Sequence, residues 1–295
     1  MRKAILTAAV LLGLGLAGCS DDDPTGPLFR RTLRVPAQFD TIQEAIDAAV
    51  SGDLVLVAAG TYADSVQAEN GLGVPIIVCV DLKSGVEVRG DSDQTGDVVL
   101  VGNPNNPVVN CNSIDAKTTL SNVTITGGKW GILGARSAVN VVNCVFRENH
   151  NTSQWGAAGG MYFDASSPKL INCVFADNSA TTGAGAVFAN DSHPVLTNVI
   201  FSGNTAWSSP NQPGTGGALV LGNDTHAVLT NCLFTANHAD SLGGAIEIHH
   251  SAIEMVNCNL TGNDTDGLGG AFLVNYGGQV AMTNGVVSDN RAGLA

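Results

Sequence analysis

The sequence predicts an all-β chain wound as a parallel β-helix solenoid of about eight to ten coils, with a short capping helix near its N-terminal side. Three observations predict it: a repeated Asn spacing, a repeated small-residue corner, and no helical period between them. In the first, an Asn is followed three residues later by an apolar residue and six later by a second Asn. The sets are Asn143, Phe146, Asn149; Asn172, Phe175, Asn178; Asn198, Phe201, Asn204; Asn231, Phe234, Asn237; Asn257, Leu260, Asn263; and Asn284, Val287, Asn290. A degenerate copy starts at Asn122 with Ile125, and the six full copies start 29, 26, 33, 26 and 27 residues apart. After each second Asn a loop leads to a small-residue corner: Gly159-Gly160, Gly183-Ala184-Gly185-Ala186, Gly216-Gly217-Ala218, Gly243-Gly244-Ala245 and Gly269-Gly270-Ala271. A short strand such as Ala245-Ile246-Glu247-Ile248 follows, then a turn and a second strand that ends at the next Asn. Three short strands per turn suit a parallel β-helix. A leucine-rich repeat would carry a Leu spacing that is absent, and a sandwich or barrel would not repeat its sequence.

The elements follow in chain order. Met1-Arg2-Lys3 and the apolar run from Ala4 to Ala17 read as a signal segment over residues 1–18, too short for an ordinary spanning helix. It closes on Leu16-Ala17-Gly18-Cys19, which resembles a bacterial lipoprotein lipobox. That resemblance implies lipidation of Cys19 and a membrane partner through the lipid anchor; plain secretory cleavage is the alternative. Ser20 after the Cys favours the outer membrane, so the expected address is export and lipid anchorage in the cell envelope. Removing Arg2 and Lys3 would take the net charge from −13 to −15. Residues 19–34, with Asp21-Asp22-Asp23-Pro24 and Gly26-Pro27, read as a flexible tether, and residues 35–295 as the β-helix.

Thr41 is placed to N-cap the helix, with Glu44 three residues on as in a capping box, and Ile42, Ala45, Ile46 and Ala49 form one apolar face. A solenoid end exposes core and needs such a cap. Within the coils, residues at equivalent positions stack about 4.8 Å apart. Asn suits a corner ladder because it tolerates left-handed backbone and its amide can bond its copies. Phe146, Phe175, Phe201 and Phe234 should form an internal stack. Cys144, Cys173, Cys232 and Cys258 share one inward position and should remain buried thiols, as should Cys79 and Cys111. The chain stops at Asn290-Arg291-Ala292-Gly293-Leu294-Ala295, where the next corner would begin. The expectation is either a fragment of a longer product or an edge covered by a partner.

Two resemblances rest on these residues. Thr41-Ile42-Gln43-Glu44-Ala45-Ile46-Asp47-Ala48-Ala49, Gly52-Asp53-Leu54-Val55-Leu56-Val57 and Gly60-Thr61-Tyr62 look like the start of pectin-lyase-fold proteins, and Gly85-Val86-Glu87-Val88-Arg89-Gly90 matches that pattern. The Phe-x-x-Asn and Gly-Gly-Ala repeats resemble polymorphic outer membrane proteins and related surface proteins. Both imply a right-handed helix. Their activities range over lyases, esterases and glycosidases acting on acidic polysaccharides, and over surface recognition. Residues 170–290 contain no Arg or Lys of the kind that neutralises uronate in lyases of this fold. The Asn-Thr-Asp and Gly-His-Gly motifs of polygalacturonases are absent, as are the pectin methylesterase active-site motifs. No catalytic residue is therefore assigned. The expected role is recognition or adhesion, with a polysaccharide or another surface protein as partner; a polysaccharide-processing enzyme is the alternative. The acidic balance argues against nucleic acid.

The candidate ligand-binding residues are Trp130, Trp155 and Trp207, expected in one inter-strand loop, with Gln154, Asn211 and Gln212 around them. The alternative is that each Trp pins its own loop. No cofactor is evident. A divalent cation could use Asp191, His193, Asp224 and His226, which share one repeat offset, although Asn190-Asp191 and Asn223-Asp224 also read as simple turns. Finally, strand alternation around Glu247 points Phe163, Phe188, Val220 and Leu273 outward as an apolar exterior stripe.

Overall fold

A computed structural model describes residues 30–92, 97–153 and 157–293. The signal segment, Cys19 and the tether up to residue 29 lie outside the described residues, as do Gln154 and Trp155.

Four parallel sheets line the solenoid. In the order the chain visits them, the first has ten strands, from Thr32–Val35 to Gln279–Thr283. The second has nine, from Gly60–Tyr62 to Val286–Ser288. The third has six very short strands, from His150–Asn151 to Arg291–Ala292, and the fourth eight, from Val80–Asp81 to Phe272–Asn275. The third sheet occupies the start of the segment expected to be loop, so the later coils carry four strands each. The first coil begins at Thr32, inside the expected tether, because Leu54 N–H donates to Arg31 O at 2.9 Å. An antiparallel hairpin, Val66–Glu69 with Pro75–Val78, interrupts the early winding.

The helix spans Ile42–Ala48 with the expected capping box: Glu44 N–H donates to Thr41 Oγ1, and Thr41 N–H to Glu44 Oε2, both at 3.2 Å. Ile42, Ala45 and Ile46 are buried against the first coils.

Two Asn ladders fix the corners between sheets. The first Asn of each repeat, from Asn122 to Asn284, has φ between +52° and +58°. That is the left-handed region, which Asn enters more readily than most residues. From Asn143 to Asn257 its amide donates to its copy on the preceding coil, as from Asn172 to Asn143 at 3.0 Å and Asn198 to Asn172 at 2.9 Å. The second Asn is wholly buried in every coil from Asn149 to Asn263. Asn204 Nδ2 donates to Asn237 Oδ1 and to Phe175 O, both at 2.9 Å, while its Oδ1 accepts from Asn178 N at 3.1 Å and Asn178 Nδ2 at 3.0 Å. The residue before each second Asn is also left-handed, whether Glu148, Asp177, Gly203, Ala236, Gly262 or Asp289. These side chains share no chemistry, so the repeat conceals that corner.

Between the ladders, Phe146, Phe175, Phe201 and Phe234 stack with ring centroids 4.6, 5.1 and 4.6 Å apart. The six described cysteines are free and buried. Burial pushes the thiols of Cys79 and Cys111 up to about 12. The glycine corners are steric: a Cβ on Gly185, Gly217 or Gly244 would run into the carbonyl of Gly217, Gly244 or Gly270 on the next coil.

Phe163 corrects one expectation. Met161 pairs with Val187, Tyr162 with Phe188 and Phe163 with Ala189. Gly159-Gly160 therefore fills the Gly-Ala slots of later corners, which shifts the following strand by one residue. Phe163 points inward and is fully buried, and Gly134 on the adjoining coil leaves room for its ring. Tyr162 takes the outward place.

Candidate functional site

Trp130 and Trp207 are not in one loop. Trp130 opens the fourth-sheet strand Trp130–Ala135 opposite Pro107, whereas Trp207 ends the third-sheet strand Thr205–Trp207 opposite Thr181. The cause lies in the degenerate coil. Gly128 stands in the buried-ladder position there, its N–H donating to Asn149 Oδ1 at 3.1 Å. The chain then enters the fourth sheet two residues later, with no third-sheet strand between. Trp207 is 50% exposed, with His238 6.1 Å away. Asn211 and Gln212 lie on the exposed loop that follows it, closed by Ser209 N–H to Gln212 O at 2.9 Å.

The proposed cation ligands do not converge. Asp191 and Asp224 are left-handed turn residues, and His193 and His226 are exposed, with His226 Nε2 3.4 Å from Glu254 Oε1. Among the described residues, the ligand atoms that gather within 4.8 Å belong instead to His238, Asp240 and Asp266. His238 Nδ1 faces Asp264 Oδ2 at 2.9 Å and Nε2 faces Asp240 Oδ1 at 3.3 Å. Burial lowers the affinity of His238 for its proton, but the carboxylates outweigh burial and raise its pKa above the ordinary histidine value.

A trough runs along the outside of the fourth sheet. Its floor is the outward row Leu133, Tyr162, Phe188, Val220, Glu247 and Leu273, in register across six strands. A second row, one turn of the pleat away, contains Asp164, Asn190, Gly222 and His249. Asn190 Nδ2 donates to Asp164 Oδ1, and Asn223 Nδ2 to Asn190 Oδ1, both at 2.7 Å. Gly222 leaves a gap in that row. Gln212 and Pro213 from the long loop, with Thr215 and Leu242, wall the opposite side. This half is a groove of about 430 Å³. It meets a second, of about 400 Å³, lined by Trp130, Lys129, Arg136 and Tyr162. Tyr162 and Phe188 join them, rings 5.7 Å apart. Trp130 Nε1 is buried without a hydrogen-bond partner, and Lys129 Nζ sits 4.5 Å above the Trp130 ring. Burial lowers the Lys129 pKa. The two grooves differ in charge: the second sets Lys129 and Arg136 against Asp164, whereas the first holds Glu247 with no Lys or Arg in its lining.

The sequence family of the right-handed β-helix region matches residues 107–292. The chain belongs to that family. No curated protein matches the sequence. Several solved structures are similar to this β-helix. An alginate lyase from Paenibacillus is 15% identical with a TM-score of 0.41, over 88% of this chain and 99% of its own. A pectin methylesterase from carrot is 14% identical with a TM-score of 0.45, over 93% and 86%. The A-module of a mannuronan C-5 epimerase from Azotobacter vinelandii is 15% identical with a TM-score of 0.26, over 86% and 91%.

In this β-helix, sequence reasoning found Phe188, Val220, Glu247, Leu273 and Gln212 but missed Tyr162, Asn190, Asn223 and Leu242. Aligning the Met161-Tyr162-Phe163 strand on its inward Met would have found Tyr162.

Proposed function

We propose that the protein is a lipid-anchored β-helix of the cell envelope that recognises a polysaccharide in the fourth-sheet trough. One observation carries the binding reading: an outward-facing row of half-buried aromatic and aliphatic side chains, with Val220 and Glu247 more deeply set, runs in register over six strands beside a row that holds Asp164 and Asn190. Sugar rings present apolar faces and polar edges, and such paired rows suit both. The alternative of a hydrolase has less support. Hydrolysis of this kind uses two carboxyl groups roughly 5 to 10 Å apart, and Glu247 is the one carboxylate lining its groove among the described residues.

Glycan-array screening of the purified chain, followed by calorimetry on the best ligand, tests the reading. Phe188→Ala should weaken binding at least about tenfold, equivalent to about 1.4 kcal/mol, with the thermal unfolding midpoint little changed because Phe188 faces outward. Binding unaltered by Phe188→Ala would move the site elsewhere. The anchor rests on the Leu16-Ala17-Gly18-Cys19 segment. Metabolic labelling with a fatty-acid analogue should mark the wild type and miss Cys19→Ala; equal labelling of both would end that part of the proposal.

A further inference from the structure

Glu247 is the most unusual group in the trough. It stands on the outward face of the strand Ile246–His249, yet it is only 8% exposed. Its row neighbours are Val220 and Leu273, both apolar. Among the described residues its one hydrogen bond is a long one, accepted from Asn275 Nδ2 at 3.5 Å. A carboxylate this withdrawn from water ordinarily has a cation or several donors around it. Among the described residues no Lys or Arg and no donor closer than Asn275 reaches it. The groove lining contains no Lys or Arg, and the sequence has none between Lys169 and Arg291. Lys129 and Arg136 belong to the other groove, four strand spacings or about 19 Å along the sheet, beyond a Debye length at physiological salt. His249 is two residues away on the same face, but its ring packs against His250 and Tyr276, with centroids 4.8 and 4.7 Å away.

We infer, resting on the trough reading above, that this half of the trough takes a sugar bearing a free ammonium group, with Glu247 as its counter-ion. A uronate would set two negative charges together in a shielded groove. A neutral sugar would strip the remaining water from Glu247 without replacing the charge it loses. An ammonium replaces water with a charge-assisted hydrogen bond, while Phe188, two strands along the same row, offers a face to the sugar ring. The acidic charge of the whole chain, −13, would also concentrate a polycation near the surface.

The test compares β-1,4-linked glucosamine oligomers with their N-acetylated forms and with a neutral glucan of equal length, by calorimetry on the purified chain. The amine form should bind at least about tenfold tighter than the acetylated form. Glu247→Gln should abolish that preference. Asp289→Asn removes one exposed charge far from the groove and should leave the preference intact, which separates a built site from general attraction of a polycation. On the wild type, raising the pH until the sugar amine is neutral should remove the preference too, a readout that stands even if Glu247→Gln fails to fold. Equal binding of acetylated and amine oligomers, no binding of the amine form, or a preference that persists in folded Glu247→Gln would overturn the inference. In those cases the trough reading still stands if Phe188→Ala weakens binding of whichever sugar is held, and falls with it if no sugar responds to Phe188→Ala.

Discussion

Asn204 shows how much one side chain carries in this fold. Five hydrogen bonds meet on its buried amide, three given and two received from the preceding ladder residue. Asn204→Ala would leave several buried groups unpaired, each costing about 1–3 kcal/mol. The expected loss in chemical denaturation is at least about 3 kcal/mol, summing such groups conservatively. Asn204→Asp should also destabilise, because a carboxylate cannot donate to Phe175 O or Asn237 Oδ1. Asp53 near the N-terminal end is a second case. Burial pushes its pKa up, but the Arg31 guanidinium, with Nε 3.0 Å from Oδ2, and the N–H groups of Val50 and Arg31 outweigh burial and hold it below the ordinary aspartate value. A carboxyl with a depressed folded pKa adds stability above its unfolded value, near 4, and loses it as pH falls through the lower folded one. Asp53→Asn should therefore flatten the acid side of the stability profile below about pH 4, measured by denaturation across pH. An unchanged profile would show that the Arg31 pairing adds nothing.

At the scale of the element, the corners separate two kinds of glycine. Gly244 faces the carbonyl of Gly270 where a Cβ would have to go, whereas Gly262 is left-handed with nothing within 4 Å of an added Cβ. Gly244→Ala should disrupt the stacking of adjoining coils and lower the unfolding midpoint sharply. Gly262→Asn should be close to neutral, since Asn enters that backbone region readily. A neutral Gly244→Ala would mean that the corner can open. The same contrast explains what was legible beforehand. Repeated Asn and Gly were readable because geometry demands those residues at those places. The corner at Glu148, Asp177 and Ala236 was not, because there the backbone N–H, donated to the next coil, holds whatever residue is present. Phe163 was assigned to the wrong face for a related reason: letters were aligned on Gly159-Gly160, while the fold aligns on steric slots, and Gly160 sits in an Ala slot.

Over the whole molecule, the trough inherits its length from the winding. Its floor crosses six strands, or five spacings, about 24 Å. Oligosaccharide affinity should rise with chain length and level off once the ligand spans that distance, read by calorimetry over a length series. Affinity saturating at a monosaccharide or disaccharide would confine recognition to one of the two grooves. The trough was only partly legible in the sequence. Outward residues alternate along every strand, but which of them share a groove depends on where the long loop holding Gln212 and Pro213 folds over, and loop paths are set by tertiary contacts such as Ser208 N–H to Asp240 Oδ2 at 2.6 Å. Trp130 and Trp207 both follow the second repeat position but do not share a place, because their coils differ in whether a third-sheet strand is present.

The two Asn ladders also have a sense of direction. In the buried ladder each amide donates toward the C-terminal end, from Asn149 to Asn178 and on through Asn204, Asn237 and Asn263 to Asn290. In the outer ladder each donates toward the N-terminal end, from Asn257 to Asn231, Asn198, Asn172, Asn143 and Asn122. Each ladder is a head-to-tail column of amide dipoles, in which every bond polarises the next. A single column would build a field along the axis, as a helix does. Two opposed columns on one solenoid largely cancel. The β-helix thus gains cooperative side-chain bonding at two corners without accumulating an axial macrodipole from it, and the charge asymmetry of its surface is left to ionised groups such as Lys129 at one end of the trough and Glu247 at the other.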